Sequence, residues 1–232
     1  MTASLKRDWM IVLAMATCTA FATAAEVTAK IHVSADTGNQ ASVANVVVWL
    51  TPVDSPAPRP VPRTNLRLIQ KNKEFSPHLL VVPTGSSVDF PNLDPFFHNV
   101  FSLFNGKRFD LGLYEAGTHR SVTFDREGVS YIFCNIHPEM GAVVVALSSP
   151  WFAISDANGS ITIRDVPPGR YRVQTWSEQL ALSPSTRANE IIDVPFEGYA
   201  LGNLEFSPTN AVTSHHKNKF GKDYPPDSRS PY

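Results

Sequence analysis

Cys134, His137 and Met140 stand in the order Cys-x-x-His-x-x-Met within Tyr131-Ile132-Phe133-Cys134-Asn135-Ile136-His137-Pro138-Glu139-Met140-Gly141. One short loop thus carries a thiolate, an imidazole and a thioether, between an apolar run ending at Cys134 and a valine-rich run beginning at Gly141. Soft sulfur donors with imidazole suit copper, and a trigonal His-His-Cys set with a weak axial Met is a geometry copper adopts for electron transfer. That set needs a second histidine from elsewhere in the chain. His98, in Asp94-Pro95-Phe96-Phe97-His98-Asn99-Val100, opens another apolar strand, which suits it to meet Cys134 at one end of a β-sandwich.

Each residue also has a plainer reading. A single buried cysteine is usually a small hydrophobe, and an isolated histidine or methionine is more often core or surface than ligand. The conjunction of four suitable residues favours ligation. A dimer disulfide through Cys134 needs an exposed thiol, yet Cys134 closes an apolar run. A Cys–His nucleophile would leave His98 and Met140 without a role, and no glycine-rich elbow offers oxyanion stabilisation. Of the other histidines, His32 and His119 alternate with apolar neighbours and read as solvent-facing. His78 follows Pro77 at a strand start, and His215 and His216 fall in a polar tail read as solvated.

The elements that must position these residues are short and alternate with period two. Val27, Ala29, Ile31 and Val33 alternate with polar residues, Asn45–Leu50 is apolar after its first residue, and a dozen further short runs follow up to Asn203–Phe206. Many short strands separated by turn signals predict an all-β protein made of sandwiches. Residues 1–24 read as a signal peptide. Lys6 and Arg7 precede the apolar run Trp9–Ala22 and an Ala-x-Ala site, and the run is too short to span a bilayer. The mature chain is therefore expected in the periplasm, with no membrane span, and Cys134 is its one cysteine because Cys18 lies in the leader. Proline-rich Pro52–Arg63 and Ser148-Ser149-Pro150 bracket a central block. The expected layout is 25–63 as first strands plus connector, 64–149 as the copper domain, 150–207 as a further β-sandwich segment and 208–232 as a disordered tail.

The central block, over residues 75–148, resembles the plastocyanin/amicyanin group of cupredoxins in its His98-Asn99-Val100, its ligand loop and the Val-rich strand that follows. The resemblance implies a cupredoxin-like Greek-key sandwich holding one type 1 copper ion through His98, Cys134, His137 and Met140. It also implies that Asn99 hydrogen-bonds near the ligand loop, that His137 is the electron port within an apolar rim, and that a redox partner docks transiently. Asp156-Ala157-Asn158-Gly159-Ser160, in which Asn-Gly reads as a hairpin turn, and Val166-Pro167-Pro168-Gly169-Arg170-Tyr171 resemble the carboxypeptidase regulatory-like (transthyretin-like) sandwich. Lys30–Ser34, Asp36-Thr37-Gly38 and Val43–Leu50 match its opening, so the copper block reads as inserted in that sandwich or as part of one enlarged domain. The combination is similar to exported proteins labelled methylamine-utilisation proteins.

With 20 Lys and Arg against 21 Asp and Glu, the formal charge is −1, which excludes a basic field for nucleic acid. Paired His-x-His motifs for further coppers are missing, and the ligand loop carries no second cysteine, so the sequence favours a carrier of single electrons over an enzyme. Two other functions compete with this. One is a periplasmic copper-binding or delivery protein without a redox circuit. The other is a carbohydrate- or protein-binding sandwich with a structural metal. The sequence leaves the oligomeric state open.

Overall fold

The computed structural model describes residues 24–34, 42–103, 106–183, 189–209 and 216–224. The expected leader, the Asp36-Thr37-Gly38 turn and His215 lie outside the described residues. Within them the protein is all-β, with no α-helix. No helix is long and apolar enough to cross a membrane among the described residues.

Two strands precede the proline-rich connector, β1 (Ala25–Val33) and β2 (Val47–Pro52). The central block contributes β3 (Leu66–Arg67), β4 (Ile69–Lys71), β5 (Glu74–Ser76), β6 (Leu79–Pro83), β7 (Ser86–Pro91) and β8 (His98–Ser102). It continues through β9 (Phe109–Tyr114), β10 (His119–Phe124), β11 (Gly128–Phe133) and β12 (Gly141–Leu147). Then follow β13 (Phe152–Ile154), β14 (Ser160–Val166), β15 (Gly169–Trp176), β16 (Leu180–Leu182), β17 (Ile191–Val194) and β18 (Tyr199–Pro208).

Pairing sorts these strands into two sandwiches. One has sheets β14-β1-β18-β16 and β13-β2-β15-β17; the other has β10-β7-β3 and β6-β12-β11-β8-β9, with β4-β5 as a small hairpin. The chain leaves the first sandwich after β2, builds the second, and re-enters the first at β13. Residues alternate inward and outward along a strand, so one face of β2 (Val48, Leu50), with Val46 just before it, enters the first core. Its other face (Val47, Trp49) joins a layer with Val81, Val143, Val145 and Leu147 of the second sandwich. The two sandwiches therefore stack back to back.

This stacking explains why β12 reads as an unbroken apolar run. Ala142, Val144 and Ala146 face the second core, and Val143, Val145 and Leu147 face the first sandwich, so neither face meets water. His78 ties the edge of this layer, with Nε2 2.6 Å from Glu178 Oε2 across the two sandwiches and Nδ1 3.1 Å from the Gly141 carbonyl.

Three local expectations are corrected. The Asn158-Gly159 turn does not close a hairpin, because β13 pairs with β2 and β14 with β1. The turn instead carries the chain between the two sheets, with Gly159 at φ 78° and the Asp156 carboxylate accepting from the amides of Asn158 and Ser160. Strand β9 was not anticipated. Its alternation is broken by Gly112 at φ 68° and by a register shift opposite Asn99–Phe101, a bulge beside His98. The stretch 208–232, read as a disordered tail, contains an ordered part: residues 216–224 form a turn packed on the end of β11.

Candidate metal centre

The four sequence-selected residues sit at one end of the second sandwich. Cys134 follows the last residue of β11, His98 begins β8, and His137 and Met140 lie on the loop that leads into β12. Phe133 pairs with Phe101 across β11 and β8, and this pairing brings the start of one strand level with the end of the other. The loop is tied to itself, with the Met140 amide donating to the His137 carbonyl at 3.1 Å and the Cys134 amide to the Met140 carbonyl at 3.3 Å.

His98, Cys134 and His137 converge, and all three are buried. Cys134 Sγ is 3.8 Å from His98 Nδ1 and 3.6 Å from His137 Nδ1, and the two Nδ1 atoms are 3.1 Å apart. Donors bonded to one ion at about 2.0–2.3 Å subtend angles of roughly 100–120° at such separations. The donor set therefore fits a single metal ion, and two imidazoles with a thiolate suit copper. Met140 is fully buried in the same apolar cluster as Cys134.

Burial sets the electrostatics. It lowers the affinity of His98 and His137 for protons, and in His137 the neighbouring His98 adds to the effect. Both rings are thereby kept neutral, as metal ligands must be. Burial pushes the Cys134 thiol up, against the backbone N–H groups of Asn99, Ile136 and His137, which favour the thiolate. Asp94 accepts from His98 Nε2 at 2.7 Å and from the amides of Asn72 and Lys73. Its own burial opposes ionisation, but these donors prevail and hold the carboxyl below its ordinary range.

Asp94 is the functional residue that sequence reading missed. Its position four residues before His98 was the available signal, but strand geometry does not place positions i and i+4 in contact, and only the 92–97 turn brings them together. Asn99 departs from expectation. Its side chain donates to Asp110 on β9, at 2.7 Å, and only its backbone N–H reaches the Cys134 sulfur. Phe96 packs on both imidazoles, with ring centroids 5.2 and 5.6 Å away, whereas Phe97 turns outward with 56% exposure. His32 and His119 are exposed, in keeping with their alternation. His216 is not solvated: its ring stacks on Phe133 at 4.0 Å.

No protein-family model matches the chain, and no curated protein matches it. Among solved structures it is similar to a purple cupredoxin from Nitrosopumilus maritimus, with 26% identity over 36% of this chain and 100% of that chain and a TM-score of 0.33. A reduced mutant of amicyanin is similar at 21% identity over 43% of this chain and 98% of that one, with a TM-score of 0.35. A copper-containing nitrite reductase from Thermus scotoductus is similar at 23% identity over 42% of this chain, with a TM-score of 0.34, and the match spans 25% of the reductase.

Proposed function

We propose that this chain is a periplasmic type 1 copper protein that carries single electrons between redox partners, with His98, Cys134, His137 and Met140 holding one ion. The observation that carries this reading is a buried sulfur flanked by two imidazole nitrogens at 3.8 and 3.6 Å. Copper bound there would supply a one-electron couple. The residues would supply everything else.

Asp94 accepts the Nε2 proton of His98 and so leaves the Nδ1 lone pair facing the sulfur. Three backbone N–H groups aimed at Cys134 stabilise the thiolate that a coordinating thiol becomes. The loop hydrogen bonds between Cys134, His137 and Met140, with Pro138 limiting backbone freedom, keep the donors fixed between two charge states. Phe96, Ile136 and the buried Met140 exclude water, and low polarity disfavours the more charged cupric form. His137, at 4% the most exposed of the four residues, is the port to the surface under this reading, and the exposed Leu93 and Phe97 supply apolar area for brief docking. Four protein donors leave no open position for a substrate, which favours a carrier over an enzyme.

The first sandwich carries the turn chemistry that resembles a carboxypeptidase regulatory-like module, and under this reading it is a support that holds the copper sandwich through the shared apolar layer. The deciding experiment adds cupric ion to protein expressed from residue 25 onward and records absorption and electron paramagnetic resonance. An intense thiolate-to-copper band with a narrow hyperfine splitting is the expected result. Tight cuprous binding with no coloured cupric form would replace this reading with copper storage or delivery.

A further inference from the structure

Residues 216–224 reach the ligand loop at three points. The Tyr224 hydroxyl donates to the Cys134 carbonyl at 2.7 Å. The His216 ring stacks on Phe133 at 4.0 Å and 18°, and Tyr224 packs edge-on against that ring at 5.3 Å. The Lys219 amide donates to Asn135 Oδ1 at 2.9 Å. These contacts fall on Cys134, which carries the sulfur, and on its two neighbours, Phe133 and Asn135.

A fourth contact reaches the other histidine strand. Lys219 Nζ lies 2.7 Å from Asp110 Oδ2, and Asp110 accepts from the side chain of Asn99, the neighbour of His98. The segment has its own internal order, since the Asn218 side chain accepts from the amides of Phe220 and Lys222 and the Asn218 amide donates to the Lys222 carbonyl.

We infer that residues 216–224 are a clasp that positions the metal centre by fixing the Cys134 peptide from outside the sandwich. The Cys134 amide is already held by the Met140 carbonyl, and Tyr224 holds the other side of the same residue. With both sides tied, the peptide that carries the sulfur cannot shift without breaking a hydrogen bond. The His216–Phe133 stack covers this strand end, where the buried Phe133 packs on Phe101 with ring centroids 5.9 Å apart. Tyr224 is thus a positioning residue for Cys134, and the clasp bears on the same centre as the copper reading without depending on which ion binds.

The test uses the full chain with Tyr224→Phe, which keeps the ring and removes the hydroxyl, and with the pair His216→Ala and Tyr224→Ala. In metal-free protein, hydrogen–deuterium exchange of the 134–141 amides and alkylation of the Cys134 thiol are followed. The double variant should speed both by about tenfold and Tyr224→Phe by about threefold, the scale of losing one hydrogen bond. Amides of the β14-β1-β18-β16 sheet should exchange unchanged, which separates loosening of the loop from unfolding. Loading with cupric ion should then show faster release to a chelator. Unchanged loop exchange and unchanged thiol reactivity in both variants would overturn the clasp. A wild-type chain that stays colourless with cupric ion would overturn the copper reading alone, because the metal-free measurements still decide the clasp.

Discussion

Asp94 Oδ2 lies 2.7 Å from His98 Nε2, and both side chains are buried. An ionised carboxylate only accepts, so the ring proton must sit on Nε2 and the lone pair on Nδ1, the atom nearest the sulfur. The tautomer of one candidate metal donor is therefore chosen by a residue outside the converging group.

Replacing Asp94 removes that choice. Asp94→Ala is expected to weaken metal binding by about 10–100-fold. It also strips the acceptor from the Asn72 and Lys73 amides, so some loss of stability follows. Competition titration against a chelator of known affinity measures the first effect. An unchanged affinity would show that His98 is oriented by its packing against Phe96 alone.

The donors are expected to separate by role. His98→Ala and Cys134→Ser should abolish the charge-transfer band, since each removes an atom from the converging trio. If Met140 is the weak fourth donor proposed, Met140→Ala should keep the band and shift its position and the reduction potential. A band surviving in His98→Ala would refute the assignment of the first ligand.

Acid should destabilise the metal-free protein at the site. Burial holds His98 and His137 below their ordinary 6.5 when folded, and unfolding restores that value. The unfolded chain then binds more protons, so their contribution is complete above about pH 6.5 and is lost as pH falls through the folded values. His78, raised chiefly by its hydrogen bond to Glu178, works the other way: its contribution is full below 6.5 and is lost as pH rises through its folded value. His216, also lowered by burial, acts in the same direction as His98 and His137, so urea unfolding in a His78→Gln, His216→Phe background isolates the effect of those two. The midpoint should be lower at about pH 5.5 than at about pH 7.5, and equal midpoints would contradict the assignment.

Leu147 is 1% exposed in the layer between the two sandwiches. Leu147→Ala should cost about 2–5 kcal/mol, the range for emptying a packed leucine site. Because the layer belongs to both sandwiches, tryptophan fluorescence and far-ultraviolet circular dichroism should report one shared urea transition in the wild type and in the variant. Two separated transitions would mean that the sandwiches fold independently.

The all-β class and the loop residues of the candidate site were legible because their signals are local. Cys134, His137 and Met140 lie within one loop whose flanks are apolar strands, and period-two alternation marks β1 and β15. Strand β9 was not legible, because the bulge at Gly112 interrupts its alternation. The order in 216–224 was hidden by its polar composition: its partners are a carbonyl, an amide side chain, a carboxylate and one ring, none of which needs an apolar pattern.

The sequence by itself determined which atoms are available to a metal and that they ride on strand ends and a tight loop, since these follow from residue type and spacing of a few positions. Only the tertiary structure decided that Asp94 backs His98, that Asn99 turns to Asp110, that Tyr224 reaches Cys134 and that β2 packs behind β12. Except for Asp94–His98, each joins segments from 11 to about 95 positions apart. Contacts over such separations are selected by the packing of whole sheets, whose cost in chain entropy is met collectively and leaves no mark in any short stretch of residues.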